Sequence, residues 1–121
     1  MKRKALIVDD ALFMRNYIKG ILQEAGFEEC IEAANALEGV KKYKEFRPDL
    51  VTMDIIMPRV EELDGIGAVK QILEFDSQAK VIIISAVAED PLVKEAIERG
   101  AKGFLVKPFK PGKLIEFINS L

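Results

Sequence analysis

The stretch Leu-Val-Thr-Met-Asp at residues 50–54, followed by Ile-Ile-Met-Pro at 55–58, decides how the rest of the chain is interpreted. Its apolar residues do not alternate with polar ones, which is the pattern of a strand covered on both faces in a parallel sheet. Asp54 closes the run and is therefore expected at the carboxyl end of that strand, where open α/β sheets bind their ligands. A simple turn starting at Asp54 is the alternative, because aspartate is common in turns and Pro58 follows closely.

Length and composition are those of an ordinary globular domain. The 121 residues are 50% hydrophobic and 31% charged, which suffices for one domain with its own core. The 18 basic and 20 acidic residues nearly balance, so neither nucleic acid nor an anionic membrane is expected as a main partner. Cys30 is the single cysteine, which favours a cytoplasmic location. The basic start and the short apolar run behind it predict neither an export signal nor a membrane span.

Histidine is absent from the sequence. This absence excludes histidine nucleophiles, histidine acid-base pairs, imidazole metal ligands and phosphohistidine intermediates on this chain. A covalently held phosphate would therefore have to be carried by a carboxylate.

Hydrophobic periodicity predicts strands at residues 4–8, 29–34, 50–54, 81–84 and 103–106, each followed by a helix. The helices are expected at 12–25, at 36–46 with Asn35 as cap, from Asp64, at 91–99 with Asp90 as N-cap and Gly100 as C-terminal stop, and at 111–121. The weaker alternation of residues 29–34 suits a strand at a sheet edge. Such an alternation of strand and helix predicts an α/β fold, a parallel sheet with helices on both faces, in one domain spanning residues 1–121.

Most of the predicted strands end in polar residues, namely Asp9-Asp10, Asp54, Ser85 and Lys107. Parallel strands share one carboxyl edge, so these side chains should converge there. Three neighbouring carboxylates repel one another unless a cation lies among them, and a small site of oxygen ligands suits Mg²⁺. With Lys107 and Ser85, the set would stabilise the charge of a phosphoryl group in transfer. The alternative is structural: Asp10 could cap the first helix, and Lys107 could be a solvated loop charge.

These motifs, in this order, resemble the receiver domains of two-component response regulators, most closely the single-domain, CheY-like chemotaxis type. The likeness covers the whole chain, and its pieces are Leu-Ile-Val-Asp-Asp at 6–10 with Ala11, Phe-Met-Arg at 13–15, Val-Thr-Met-Asp-Ile-Ile-Met-Pro at 51–58, Asp-Gly at 64–65, Ile-Ser-Ala at 84–86 and Val-Lys-Pro-Phe at 106–109. The resemblance implies a doubly wound, flavodoxin-like sheet of five strands in the order 2-1-3-4-5. It also implies a phosphorylation-controlled signalling module and no enzyme, apart from catalysis of its own phosphorylation and slow dephosphorylation.

The resemblance assigns roles to the residues at the strand ends. Asp54 would accept a phosphoryl group from the phosphohistidine of a sensor histidine kinase. Asp10, Asp54 and the backbone carbonyl of Ile56 would bind Mg²⁺, with Asp9 acting through water. Ser85 and Lys107 would hold the phosphoryl oxygens, and the Lys107-Pro108 bond would be cis.

The resemblance further implies a switch and an output surface. Phe104 would be the aromatic switch residue, whose ring turns inward as the Ser85 hydroxyl moves toward the phosphate. The output surface would be the helix at 91–99, the strand through Phe104 and the last helix. The expected output partner is a flagellar motor switch component bound by a monomer, while a relay phosphotransfer domain and the effector domain of a longer regulator stay open.

Two departures from the family pattern lead to expectations of their own. The segment Arg-Val-Glu-Glu-Leu at 59–63 is about three residues longer than usual, so we expect a displaced or more mobile loop near the metal site. Ile56 and Val87 are apolar where the family's side chains influence the hydrolytic water, so we expect slow loss of the phosphate.

Two other functions compete with this reading. A Mg²⁺-dependent phosphatase of the haloacid dehalogenase type also forms an aspartyl phosphate, but it needs a second Asp two residues after the nucleophile. Here Ile55 and Ile56 follow Asp54, and the chain is short for a substrate-covering cap. The second alternative is a receiver-like fold that no longer accepts phosphate because of its lengthened loop.

Overall fold

The computed structural model of the chain describes residues 2–87 and 91–121. These ranges contain strands β1 (Lys4–Val8), β2 (Glu29–Ala33), β3 (Leu50–Asp54), β4 (Val81–Ser85) and β5 (Gly103–Val106), and helices α1 (Leu12–Glu24), α2 (Ala36–Phe46), α3 (Gly65–Phe75), α4 (Pro91–Glu98) and α5 (Pro111–Ser120). All the paired strands are parallel, and their order is β2-β1-β3-β4-β5. The predicted doubly wound fold is therefore confirmed, with β2 at a sheet edge.

The predicted element boundaries were wrong by single residues at several ends. Strand β2 stops at Ala33 and β4 includes Ser85, while α1, α4 and α5 stop at Glu24, Glu98 and Ser120. Helix α3 begins at Gly65 because Asp64 is its N-cap, with Oδ1 accepting from the amide of Gly67 at 2.8 Å. Helix α4 begins at Pro91 as predicted, while its predicted N-cap, Asp90, lies outside the described residues. Within those residues, no helix has the length and apolar character to cross a membrane.

The sheet separates two apolar cores. One face packs against α2, α3 and α4, and the other packs against α1 and α5. Strand β3 lies in the middle of the sheet and is buried along its whole length, with Val51 and Met53 in the first core and Leu50 in the second. Burial on both faces explains why this stretch of sequence does not alternate.

Side-chain contacts hold the amino-terminal edge of the sheet, at the opposite end of the strands from Asp54. The amide of Lys4 donates to Asp49 Oδ2 at 2.8 Å, just before β3 begins. The hydroxyl of Tyr43 in α2 donates to Oδ2 of Asp76, the C-cap of α3, at 2.8 Å. Burial and this bond raise the pKa of Tyr43, and the same bond lowers the pKa of Asp76. This edge therefore contributes to the stability of the fold.

Candidate functional site

The carboxyl ends of β1 and β3 bring three acidic side chains together. Asp9 and Asp10 follow β1 and Asp54 closes β3, and one carboxylate oxygen of each lies within 4.8 Å of the others. Asp9 and Asp54 are buried, with 1% and 4% of their surface exposed, whereas Asp10 is exposed. Asp10 does not act as the cap of α1, because Ala11 takes that position. The structure thus places these acidic residues in one cluster.

Lys107 reaches this cluster from the edge strand of the sheet that lies opposite β2. It follows β5, and its Nζ lies 2.7 Å from Asp9 Oδ2 and 3.2 Å from Asp54 Oδ2. Its amide donates to the carbonyl of Ser85 at 2.7 Å, which ties the segment to the end of β4. The peptide bond between Lys107 and Pro108 is cis, as the resemblance implied. Lys107 is therefore part of the site and not a solvated loop charge.

Burial and the contacts between charged groups together set the pKa values of the site. Burial raises the pKa of Asp54, and the nearby charge of Asp9 raises it further, against the opposing effects of the Ile56 amide and Lys107. Burial lowers the pKa of Lys107, but the hydrogen bonds and charges of Asp9 and Asp54 outweigh it, so that the pKa is raised overall. One ammonium group thus faces three carboxylates, and this excess of negative charge on oxygen ligands fits a hard divalent cation.

Three other residues predicted for the site differ in how they relate to the cluster. The amide of Ile56 donates to Asp54 Oδ1 at 3.0 Å. Ser85 is fully buried, and its Oγ accepts from the amide of Val87 at 3.1 Å. Phe104 is half-buried and packs against the core on the side of α2, α3 and α4. The structure therefore brings Ile56 into contact with Asp54, while Ser85 bonds to its own loop and Phe104 belongs to the neighbouring core.

The lengthened segment at 59–63 forms a closed turn. The backbones of Val60 and Leu63 pair through hydrogen bonds of 3.2 and 3.0 Å, and Glu61 and Glu62 between them have φ of 52° and 64°. Left-handed backbone at both central residues is the geometry of a tight hairpin turn. The turn accommodates the added length, and the amide of Ile56 stays bonded to Asp54. The predicted mobility of this loop stays a prediction.

Gly65 has a role at the site that the sequence did not reveal. A Cβ at this position would lie 2.5 Å from both the carbonyl oxygen of Asp54 and the Cα of Ile55. The first turn of α3 therefore packs directly on the backbone that carries the Asp54 side chain. The Asp-Gly pair at 64–65 was visible in the sequence as a motif, but its spacing gives no sign of this contact.

Arg15 is a second residue whose contacts were not predicted. Its Nη1 donates to the carbonyl oxygen of Asp9 at 2.8 Å, and its Nε donates to Glu32 Oε1 at 3.0 Å. It therefore joins α1 both to the end of β1 and to the edge strand β2. The sequence showed Arg15 only as part of the motif at 13–15, with no pattern that pairs it with Glu32.

Thr52 interrupts the buried strand with a hydroxyl group. The residue is 1% exposed, and its Oγ1 has no hydrogen-bond partner among the described residues. Replacing Thr52 by Val should raise the free energy of unfolding by about 1 kcal/mol, because the buried hydroxyl is exchanged for a methyl group of similar size. Urea denaturation would measure the change, with Thr52→Ser as a control that keeps the hydroxyl and should be less stable. A Thr52→Val variant less stable than the wild type would contradict this prediction.

Comparison with known proteins identifies the class to which this fold and site belong. The sequence profile described as "Response regulator receiver domain" matches residues 5–119, and the chain belongs to this family. The "Chemotaxis protein CheY" of Thermotoga maritima is 50% identical over 121 residues, which cover 100% of this chain and 98% of that protein. The protein of the same name from Bacillus subtilis is 52% identical over 119 residues, covering 98% of this chain and 97% of that protein.

A solved structure leads to the same family. The crystal structure of the CheX-CheY-BeF3-Mg²⁺ complex from Borrelia burgdorferi contains a chain that matches with a TM-score of 0.89 and 40% identity, over 98% of this chain and 87% of that one. The chain is thus a receiver domain homologous to CheY chemotaxis response regulators, and signalling through a phosphorylation switch fits it. The haloacid dehalogenase alternative is not favoured.

Proposed function

We propose that Asp54 accepts a phosphoryl group from a sensor histidine kinase in a Mg²⁺-dependent reaction, and that this changes binding to an output protein. The observation that carries the proposal is the surroundings of Asp54: a buried carboxylate at a strand end, faced by Asp9, Asp10 and the ammonium of Lys107. A structural aspartate in a turn would not need a second carboxylate and a lysine drawn from a distant strand.

The proposed chemistry is compatible with these contacts. A carboxylate oxygen of Asp54 attacks the phosphorus of a phosphohistidine, the new O–P bond forms as the N–P bond breaks, and the imidazole of the donor leaves with the bonding electrons and takes up a proton. Asp10, Asp54 and the carbonyl of Ile56 would hold Mg²⁺, with Asp9 acting through water. The bound ion would supply positive charge next to the phosphoryl oxygens.

Lys107 and Ser85 are suited to hold the transferred group. The Lys107 ammonium already contacts Asp54 Oδ2 and is placed to move from that carboxylate to a phosphoryl oxygen. The Ser85 oxygen accepts from the amide of Val87, so its own hydrogen remains available for donation to the phosphate. Catalysis of this kind is mostly positioning and charge stabilisation, which these side chains supply.

A switch follows from the charge that phosphorylation adds. The phosphoryl group brings about 1.5 to 2 negative charges to a buried site. Movement of Ser85 toward it would shift the segment after β4, and Phe104 on the neighbouring strand would respond because its ring is only half-buried. Exposed apolar side chains on α4 and β5, including Ile97 and Val106, support this face as the output surface.

The CheY relatives support the choice of partners and cofactor. A chemotaxis-type kinase would be the donor and a flagellar motor switch component the output protein, with the chain acting as a cytoplasmic monomer and a single receiver domain. The presence of Mg²⁺ and beryllofluoride in the Borrelia burgdorferi complex supports Mg²⁺ as the cofactor here.

Intact-mass spectrometry after incubation with acetyl phosphate tests this proposal. With Mg²⁺ we expect one phosphoryl adduct, and none with EDTA or in Asp54→Asn. The matched control is Asp49→Asn, because Asp49 lies at the opposite edge of the sheet and is exposed.

An adduct that persists in Asp54→Asn would identify another acceptor. No adduct on the folded wild type would favour the receiver-like fold that no longer takes phosphate, and an adduct lost within seconds would contradict the expected slow dephosphorylation.

A further inference from the structure

The contacts of Arg15 bear on how the acidic cluster is built. Nη1 of Arg15 donates to the carbonyl oxygen of Asp9 at 2.8 Å, and that carbonyl belongs to the peptide unit that joins Asp9 to Asp10. A peptide unit is planar, so fixing its carbonyl fixes the orientation of the whole unit. The direction of the Cα–Cβ bonds on both sides, and thus of two carboxylates of the cluster, depends on that orientation.

Arg15 is itself held in place by Glu32. Its Nε donates to Glu32 Oε1 at 3.0 Å, and its side chain is only 15% exposed. Glu32 is also held by Lys42 of α2, which donates to its carbonyl oxygen, whereas Lys19 of α1 lies 3.8 Å from Oε2, too far for a hydrogen bond. The guanidinium therefore has little freedom to leave Asp9.

Asp10 depends most on this arrangement. Asp9 has bonds of its own, since Oδ1 accepts from the amide of Ala11 at 2.9 Å and Oδ2 contacts Lys107. Asp10 is exposed, so the position of its carboxylate is set chiefly by its backbone. The backbone on its amino side is the peptide unit that Arg15 holds.

We propose that Arg15 is a positioning residue for the divalent-cation site, with Glu32 as its anchor. The inference rests on the proposed function, because it concerns the cation that this function requires. Arg15 ligates no cation and instead fixes the peptide unit between two carboxylates of the site. Groups that orient metal ligands typically change metal affinity by about 10- to 100-fold when they are removed.

The sign of the effect separates positioning from simple electrostatics. Removing a positive charge near a cluster of carboxylates should strengthen the binding of a cation by Coulomb's law. Removing a positioning residue should weaken it. Lys19→Ala provides the matched control, because Lys19 lies on the same helix and faces the same Glu32, but within the described part of the chain it makes no hydrogen bond to Asp9.

The test is isothermal titration of each folded, metal-free protein with MgCl₂, followed by phosphorylation by acetyl phosphate as a function of Mg²⁺ concentration. In Arg15→Ala we expect the Mg²⁺ dissociation constant to rise about tenfold. The Mg²⁺ concentration for half-maximal phosphorylation should rise equally, while the rate at saturating Mg²⁺ stays within about twofold, because no ligand is lost. Arg15→Lys should recover part of the affinity, since an ammonium retains the charge without the planar fork.

The possible results distinguish a failure of this inference from a failure of the proposed function. Unchanged or tighter Mg²⁺ binding in Arg15→Ala would overturn the inference while leaving the proposed function in place, and so would equal weakening in Lys19→Ala. No Mg²⁺ binding by the wild type would overturn both. If Arg15→Ala does not fold, Glu32→Gln carries the test, because it loosens the anchor and should weaken Mg²⁺ binding in the same direction.

Discussion

The variant Lys107→Met is expected to lower the free energy of unfolding by about 3 kcal/mol at neutral pH, which is the usual cost of removing one partner from a buried ion pair. The ammonium of Lys107 lies 2.7 Å from Asp9 and 3.2 Å from Asp54, and these carboxylates are almost fully buried. Without the ammonium, their charges remain in a site of low polarity with no compensating cation. Urea denaturation in EDTA would measure the loss.

The loss should depend on pH in a defined direction. Burial already raises the pKa of Asp54 in the folded protein, and removing Lys107 raises it further. A carboxyl group with a raised folded pKa favours folding in its protonated form, so its contribution is present at low pH and is lost as the pH rises through that folded pKa. The destabilisation should therefore be largest at neutral pH and shrink toward the ordinary carboxyl range near about pH 4.

Two controls separate this effect from the loss of a long side chain. Lys113→Met changes an exposed lysine on α5 and should stay within about 0.5 kcal/mol of the wild type. Adding Asp54→Asn to Lys107→Met should restore part of the stability, because it removes one of the two buried charges that Lys107 compensates. A loss that is the same at every pH, or that is undiminished in the double variant, would show that packing and not charge is responsible.

The variant Gly65→Ala is expected to lower the free energy of unfolding by about 2 kcal/mol and to slow phosphorylation of Asp54. The new Cβ would lie 2.5 Å from backbone atoms of Asp54 and Ile55, and backbone atoms cannot turn aside as a flexible side chain does. Helix α3 must therefore move away from β3 or displace the peptide unit after Asp54. The second outcome would disturb the carboxylate and the Ile56 amide that contacts it.

Denaturation and the acetyl phosphate reaction would be measured on the same samples. Gly20→Ala is the matched control, because a Cβ at Gly20 in α1 meets nothing within 4 Å. That variant should be more stable by up to about 1 kcal/mol, since alanine is the better helix former. A Gly65→Ala protein with wild-type stability and wild-type phosphorylation would refute the close approach between α3 and the end of β3.

The features that could be predicted from the sequence are those set by local pattern. Unbroken apolar runs identified the buried strands, and the cap at Asn35 is confirmed by its bond from the amide of Glu38 at 2.8 Å. The polar residues that end β1, β3, β4 and β5 could be placed at one edge of the sheet, because parallel strands all point the same way. Their contacts could not be predicted, since Lys107 and Asp9 are 98 residues apart and meet only because of the strand order. That order came from the resemblance and not from the residues themselves.

Other features depend on contacts that leave no local trace. The sequence shows a threonine within an apolar run, but whether Thr52 finds a hydrogen-bond partner depends on its neighbours in the folded chain. The turn at 60–63 contains neither glycine nor asparagine, and its closure relies on the pairing of Val60 with Leu63 and on the packing of Leu63 against the core. Arg15 pairs with Glu32 only because α1 packs beside the edge strand.

The two ends of the sheet carry different groups, so substitutions at each end have different effects. The bonds from Lys4 to Asp49 and from Tyr43 to Asp76 lie a strand's length, roughly 15 Å, from the end that carries Asp54. Substitutions at those positions alter how tightly the chain is folded without touching the groups that would handle phosphate. The stability of the fold can therefore be changed at one end of the sheet while the groups at the other end stay the same.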